Sequence, residues 1–243
     1  MPDQFGHEQF AGETRRGRAM TTLVIATRNR HKADEIRGIL GGDFHFLALN
    51  DFPNAPKVVE DATTFAGNAT KKAVELARWI SNSPPTFVLA DDSGLEVDAL
   101  NGAPGVHSAR FAANDKVSGN SSDAANIEEL LRLLKDVPVE KRTARFRCVI
   151  ALTPVLAAKT GSSSPVCCSG EEELETELFD GTCEGKILFA PRGKGGFGYD
   201  PLFVPDGFDQ TFGELSEETK NQISHRSNAL AKLRQHFDSG KSV

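Results

Sequence analysis

The run 87–97, FVLADDSGLEV, sets two adjacent carboxylates, a hydroxyl and a glycine directly after a stretch rich in strand formers. It reads as a strand that leaves the core and delivers its acids at its tip. Two anions side by side at a strand end need a reason, and the residues alone allow two. Asp, Ser and Gly are what a polar turn selects. They are also what a hard-cation site uses, in which Mg²⁺ rests on one or two carboxylates and takes its other ligands from water and substrate phosphate.

The rest of the chain narrows the partners. Its 243 residues suffice for one large domain or two lobes around a cleft. A net charge of -6 argues against a nucleic acid or an anionic membrane, which call for a surplus of Lys and Arg, so any phosphate binding must be local. Cys148, Cys167, Cys168 and Cys183 have no C-x-x-C spacing and read as reduced thiols of a cytoplasmic protein. No apolar run approaches the ~20 residues of a membrane span, and no signal peptide is recognisable. Residues 1–20 are polar and aperiodic, a disordered extension, cloning remnant or early start, and the single domain is expected over 21–243. Within it, 155–176 (VLAAKTGSSSPVCCSGEEELET) reads as a flexible hairpin loop without chemistry.

Strands are expected at 21–26 and 44–49, with a helix from Lys32 between them, so that the polar loop 27–32 (TRNRHK) joins strand to helix. A helix start with a lysine suits an anion, although it is also an ordinary helix start. Glu60 and Asp61 precede a helix over 65–80, where Lys71 and Lys72 read by default as a solvated face. The loop 100–110 ends in His107 and Arg110, which either contact phosphate or cap a loop. A helix over 121–134, a strand over 143–152 and a return strand over 179–187 follow. The segment 191–201 (PRGKGGFGYDP) is flexible enough to approach a ligand closely, and Phe197 and Tyr199 could stack on a planar base. A strand over 201–204 comes next, and Ser224, His225 and Arg226 stand just before a last helix over 228–237. Cations, carboxylates and rings in three clusters are the three kinds of contact a nucleoside triphosphate with Mg²⁺ needs.

Six ordered stretches carry a resemblance: Thr27-x-Asn29-x-x-Lys32, 64–69 (TFAGNA), 90–95 (ADDSGL), 102–110 (GAPGVHSAR), 195–201 (GGFGYDP) and 224–226 (SHR). Together they resemble the Ham1 or inosine triphosphate pyrophosphatase family. The resemblance implies an α/β fold, an elongated mixed sheet flanked by helices, in two lobes around a central substrate cleft. It implies hydrolysis of non-standard purine nucleoside triphosphates (ITP, dITP, XTP, dXTP) to monophosphate and pyrophosphate with Mg²⁺, by a homodimer. Position by position, it makes Thr27, Arg28, Asn29, Arg30, His31 and Lys32 the triphosphate loop, with Arg28 where many relatives carry Gly. Glu60 and Asp92 become the metal acids, with Asp92 also the general base, and Lys72 and Ser93 contact phosphate or substrate. Phe197, Gly198, Tyr199, Asp200, Lys220, His225 and Arg226 fall around the base. A pyrophosphatase for other modified nucleotides and a non-catalytic nucleotide-binding regulator are the alternatives.

Overall fold

The computed structural model describes residues 20–80, 86–113, 119–155 and 174–239. The expected extension 1–20, apart from Met20, and 156–173 of the expected loop, with Cys167 and Cys168, lie outside these.

Eleven named elements carry the argument. In chain order they are β1 (Thr22–Ile25), α1 (Arg30–Leu40), β2 (His45–Ala48), α2 (Phe65–Trp79), β3 (Thr86–Val97) and α3 (Asp123–Leu133). These are followed by β4 (Thr143–Pro154), β5 (Glu177–Ile187), β6 (Phe203–Pro205), α4 (Glu217–Ile223) and α5 (His225–Asp238). The strands form one mixed sheet in the order β2-β1-β3-β4-β5-β6. β1 lies parallel to both β2 and β3, and the remaining pairs are antiparallel.

Period-two alternation sorts the apolar residues of β3 and β4 onto two faces. Val88, Ala90, Val149 and Ala151 pack with Ala69, Ala73 and Leu76 of α2. Leu89, Cys148, Ile150 and Leu152 pack with Ile36 of α1 and with Ala229, Leu230 and Leu233 of α5. A third cluster surrounds Leu95, Phe146 and Phe203 and takes in Leu130 of α3. Gly181 permits the close seating of α5 on β5. A Cβ there would lie 2.2 Å from the carbonyl oxygen of His225 and 2.4 Å from the amide of Ala229.

Two expectations change. β3 does not end at its acids: it pairs with β4 from Phe87↔Pro154 to Val97↔Ala144, which puts Asp91 and Asp92 in mid-strand. The other edge explains the polar run, because β1 pairs only as far as Ile25↔Leu89 and leaves β3 to continue past its C-terminal end. Second, Ser224-His225-Arg226 is not a loop before the last helix. Ser224 is the N-cap of α5, accepting from the Ser227 amide, and His225 and Arg226 form its first turn.

Candidate active site

In an open sheet with parallel strands, ligands favour the crevice beyond the carboxyl ends of those strands. The 27–32 loop occupies that place. The Ala26 amide still bonds to Leu89 O at 2.8 Å, after which the chain turns into α1. Asn29 is the helix N-cap, its Oδ1 accepting from the Lys32 amide at 3.3 Å, and its own amide donates to Thr27 Oγ1 at 3.1 Å. Thr27 and Asn29 thus shape the loop themselves. Arg28, Arg30 and His31 are exposed on it.

Adjacent residues of a strand point to opposite faces, so Asp91 and Asp92 have different surroundings. Asp91 faces α1 and α5 and is 2 % exposed. Its carboxylate takes Lys32 Nζ at 2.5 Å, Arg226 Nε at 2.9 Å, Ser93 Oγ at 3.0 Å and the Cys148 thiol at 3.1 Å. Burial pushes its pKa up, but Arg226 and Lys32 outweigh burial and hold it well below the usual carboxylate range. Arg226 continues the network, bonding to Ser93 Oγ at 3.0 Å and pairing through Nη1 with Glu35. Glu35 also holds Lys220 at 2.7 Å, and Lys220 reaches Asp200 at 2.6 Å. Burial raises Glu35, and its two cations bring it below its ordinary value. For Asp200 burial prevails over Lys220, and its pKa is raised.

Asp92 faces α2. Asn68 Nδ2 donates to its Oδ2 at 3.2 Å, and Lys72 Nζ approaches its Oδ1 at 3.0 Å. Lys72 also donates to Asp91 O at 2.7 Å and stands 3.4 Å from Glu60 Oε1. Lys72 is therefore the inward residue of its pair and not part of a solvated face. Lys71 turns outward to Asp61 at 2.7 Å. Burial raises the Asp92 pKa further than Lys72 lowers it, so this acid binds a proton more readily than an ordinary Asp. The Lys72 pKa is raised despite burial, because Asp92, Glu60 and Asp91 surround one ammonium.

Glu60 and Asp92 meet at Lys72, whereas Asp61 is engaged elsewhere. Among the described residues no group of three or more His, Cys, Asp or Glu gathers to hold a metal. Two carboxylates from a strand and a loop, with the remaining positions left to water and phosphate oxygens, are the donor set that suits Mg²⁺.

The glycine-rich loop brings a ring to the Asp91 network. Gly196 has φ +70°, and a Cβ on it would lie 2.1 Å from Asp200 Oδ2. Asp200 accepts from the Phe197 amide at 2.9 Å, and the Gly198 amide donates to Asp123 Oδ2 at 2.7 Å. Phe197 stacks on His31, with centroids 5.4 Å apart and planes 15° from parallel, and Lys220 Nζ lies 4.9 Å from its centroid. Tyr199 corrects the expectation of a second stacking ring. It is 3 % exposed within the third core cluster and donates to Ser108 O at 3.0 Å. His225 is likewise an internal residue, stacked on Phe146 at 4.8 Å. Burial and the neighbouring Arg226 hold its pKa well below the ordinary value, so it is neutral.

Lys32, Ser93, Asp200, Lys220 and Arg226 thus share one network, and Glu60, Lys72 and Asp92 share another on the far side of β3. Sequence reasoning gave no site role to Glu35, to Cys148 or to Asn68, although Asn68 stands in one of the six stretches. Asn68 had a signal, a polar residue within the apolar stripe of α2 that is 0 % exposed.

The Ham1 family model matches residues 23–236. A dITP/XTP pyrophosphatase of Geobacter sulfurreducens is 48% identical over 219 residues, 90% of this chain and 97% of that protein. One of Shouchella clausii is 43% identical over 216 residues, 89% of this chain and 96% of that protein. Among solved structures, the Staphylococcus aureus Ham1 protein aligns with TM-score 0.70 and 37% identity, covering 91% of this chain and 100% of that one. A HAM1 protein from Coxiella burnetii aligns with TM-score 0.71 and 35% identity, covering 90% and 100%.

Proposed function

Because the chain belongs to the Ham1 family, we propose that it is a nucleoside triphosphate pyrophosphatase acting on non-standard purine nucleotides, dITP, ITP and XTP or dXTP. Its products are the nucleoside monophosphate and pyrophosphate. The observation that carries this reading is the convergence of Asp92 and Glu60 on Lys72, one strand away from the donor-rich 27–32 loop.

In this reading Glu60 and Asp92 would hold Mg²⁺, and the ion, when bound, would supply positive charge to the phosphate oxygens. Asp92 takes the proton of the attacking water. Asn68 fixes one of the Asp92 oxygens and Lys72 the other, which orients the carboxylate toward the water. Lys72 keeps Asp92 ionised and stays charged beside the phosphates. The α1 N-terminus, with Thr27, Asn29 and Lys32, receives the triphosphate. Phe197 stacks on the base beside Lys220 and Arg226, and His225, Tyr199 and Asp200 set that wall from behind. A 6-oxo purine offers an acceptor to such donors, whereas the 6-amino group of adenine would face a donor and leave it unpaired.

The domain is read as one unit over 21–243, working as a cytoplasmic homodimer, with sedimentation velocity as the check on the dimer. No described helix is long and apolar enough to cross a membrane, and Cys148 and Cys183 are free thiols. Purified protein with Mg²⁺ is expected to release pyrophosphate from dITP or XTP much faster than from dATP or dGTP. Equal rates on all four would refute the assignment.

A further inference from the structure

Two guanidinium groups beside the site remain outside its ion pairs. Arg28, in the loop between β1 and α1, donates from Nη2 to the carbonyl oxygen of Ala55 at 3.1 Å. Arg110, in the 3-10 segment Gly105–Ala113, donates from Nη2 to the carbonyl oxygen of Glu60 at 3.3 Å. Among the described residues neither contacts a carboxylate.

Both bonds fall on the segment that carries Glu60. Residues 52–64 contain no helix or strand, and Val59 within them is 63 % exposed. The segment is tied at Ala55, whose amide bonds to Phe52 O at 2.9 Å, and at Ala62, whose amide bonds to Asn68 Oδ1 at 2.9 Å. Arg28 adds a bond at the first of these points, Ala55, and Arg110 holds the backbone between them, at Glu60. The Arg110 support is itself braced. Ser108 Oγ donates to Gly105 O at 2.6 Å and accepts from the Leu95 amide at 2.9 Å, while Ser108 O takes the buried Tyr199 hydroxyl.

We propose that Arg28 and Arg110 are positioning residues: they clamp the Glu60 segment between the 27–32 loop and the Gly105–Ala113 segment, and thereby set the affinity of the site for its divalent cation. The proposal rests on the reading of Glu60 as a metal acid. A clamp made through backbone carbonyls has a chemical advantage. A guanidinium placed on the Glu60 carboxylate would neutralise it, whereas one placed on carbonyl oxygens fixes the chain and leaves both carboxylate oxygens for Lys72 and a cation.

The test is Mn²⁺ binding to the full-length protein without nucleotide, followed by electron paramagnetic resonance, for wild type, R28M, R110M, R110K and E60Q. Supporting groups of a metal site are worth about 10–100-fold in affinity, so each methionine variant is expected to weaken Mn²⁺ about tenfold, with R110K recovering part of the loss. In turnover, the Mg²⁺ concentration for half-maximal rate is expected to rise by a larger factor than kcat falls. If E60Q weakens Mn²⁺ but R28M and R110M do not, the clamp is refuted and Glu60 stands. If E60Q leaves Mn²⁺ unchanged, the reading of Glu60 fails and the clamp with it. If the methionine variants spare Mn²⁺ but weaken metal-free ITP binding, these guanidiniums serve the polyphosphate, and the proposal is overturned.

Discussion

Replacing Asp91 by Asn isolates the division of labour on β3. The amide keeps the shape of the carboxylate but removes the charge that Lys32 and Arg226 share. Removing one partner of a buried ion pair costs about 3–5 kcal/mol, because a charge is left uncompensated. Here the lower end applies. Arg226 retains Glu35 and Ser93, and the Lys32 side chain is 17% exposed and can turn to water. At about 2–4 °C per kcal/mol for a chain of this size, about 3 kcal/mol lowers Tm by roughly 6–12 °C. Asp92→Asn is the paired control. Burial disfavours the ionised form of Asp92, and Lys72 keeps Glu60 and Asp91 O, so Tm is expected within about 3 °C of wild type by the same conversion. Its activity is expected to fall by several orders of magnitude. Scanning calorimetry without nucleotide measures both. The pH dependence has opposite sign for the two acids. With its pKa depressed, the Asp91 contribution is present above the unfolded value and lost only as pH falls through a folded value well below the usual range. The D91N deficit therefore persists to about pH 4, near the ordinary Asp value. With its pKa raised, ionised Asp92 costs stability above its folded value, and acid relieves that cost on the way down to the ordinary value. A Tm loss in D91N below about 3 °C, or a larger loss in D92N, would refute the reasoning.

Three further outcomes follow from the same geometry. Lys72→Met removes the largest influence lowering the Asp92 pKa, so the acid limb of the kcat/KM profile is expected to move to higher pH; an unmoved limb would exclude Asp92 as its source. A chelator is expected to abolish turnover yet leave Tm within about 2 °C, because Lys72 already compensates Asp92 and Glu60; a large fall in Tm would make the metal structural. Gly181→Ala drives a methyl into the α5 backbone and is expected to cost about 1–3 kcal/mol by chemical denaturation, with loss of activity through Arg226; unchanged stability would contradict the close seating of α5.

Much of the fold was legible because its strands are short apolar runs and its helices have clear amphipathic spacing. Expected and observed bounds differ by a residue or two for β1, β2, α2 and α3. The polar signal misled at β3, since Asp-Asp-Ser-Gly resembles a turn when the neighbouring strand β4 is not in view. The six motifs brought most of the site to one region, but not the tasks of its members. Tyr199 looks like a stacking ring until Ser108 is seen to hold its hydroxyl. Glu35 is one carboxylate among several charges on α1, and it acquires a partner only when α5 brings Arg226 beside it from 191 residues away in sequence. Lys72 was the reverse case. It lies four residues after Asn68, on the same inward line of α2, so helical spacing alone distinguishes it from Lys71.

The alternation of β3 has one more consequence, for the spacing of its acids. Placed two apart, Asp-x-Asp, both carboxylates would share a face and compete for one set of cations, the arrangement that forces one of two like charges to keep its proton. As immediate neighbours they instead turn to opposite faces of the strand, Asp91 to Lys32 and Arg226, and Asp92 to Asn68 and Lys72. The shortest separation in the chain gives each acid its own set of hydrogen-bond partners, and only a shift of the strand by one residue, not a change of side chain, would exchange them.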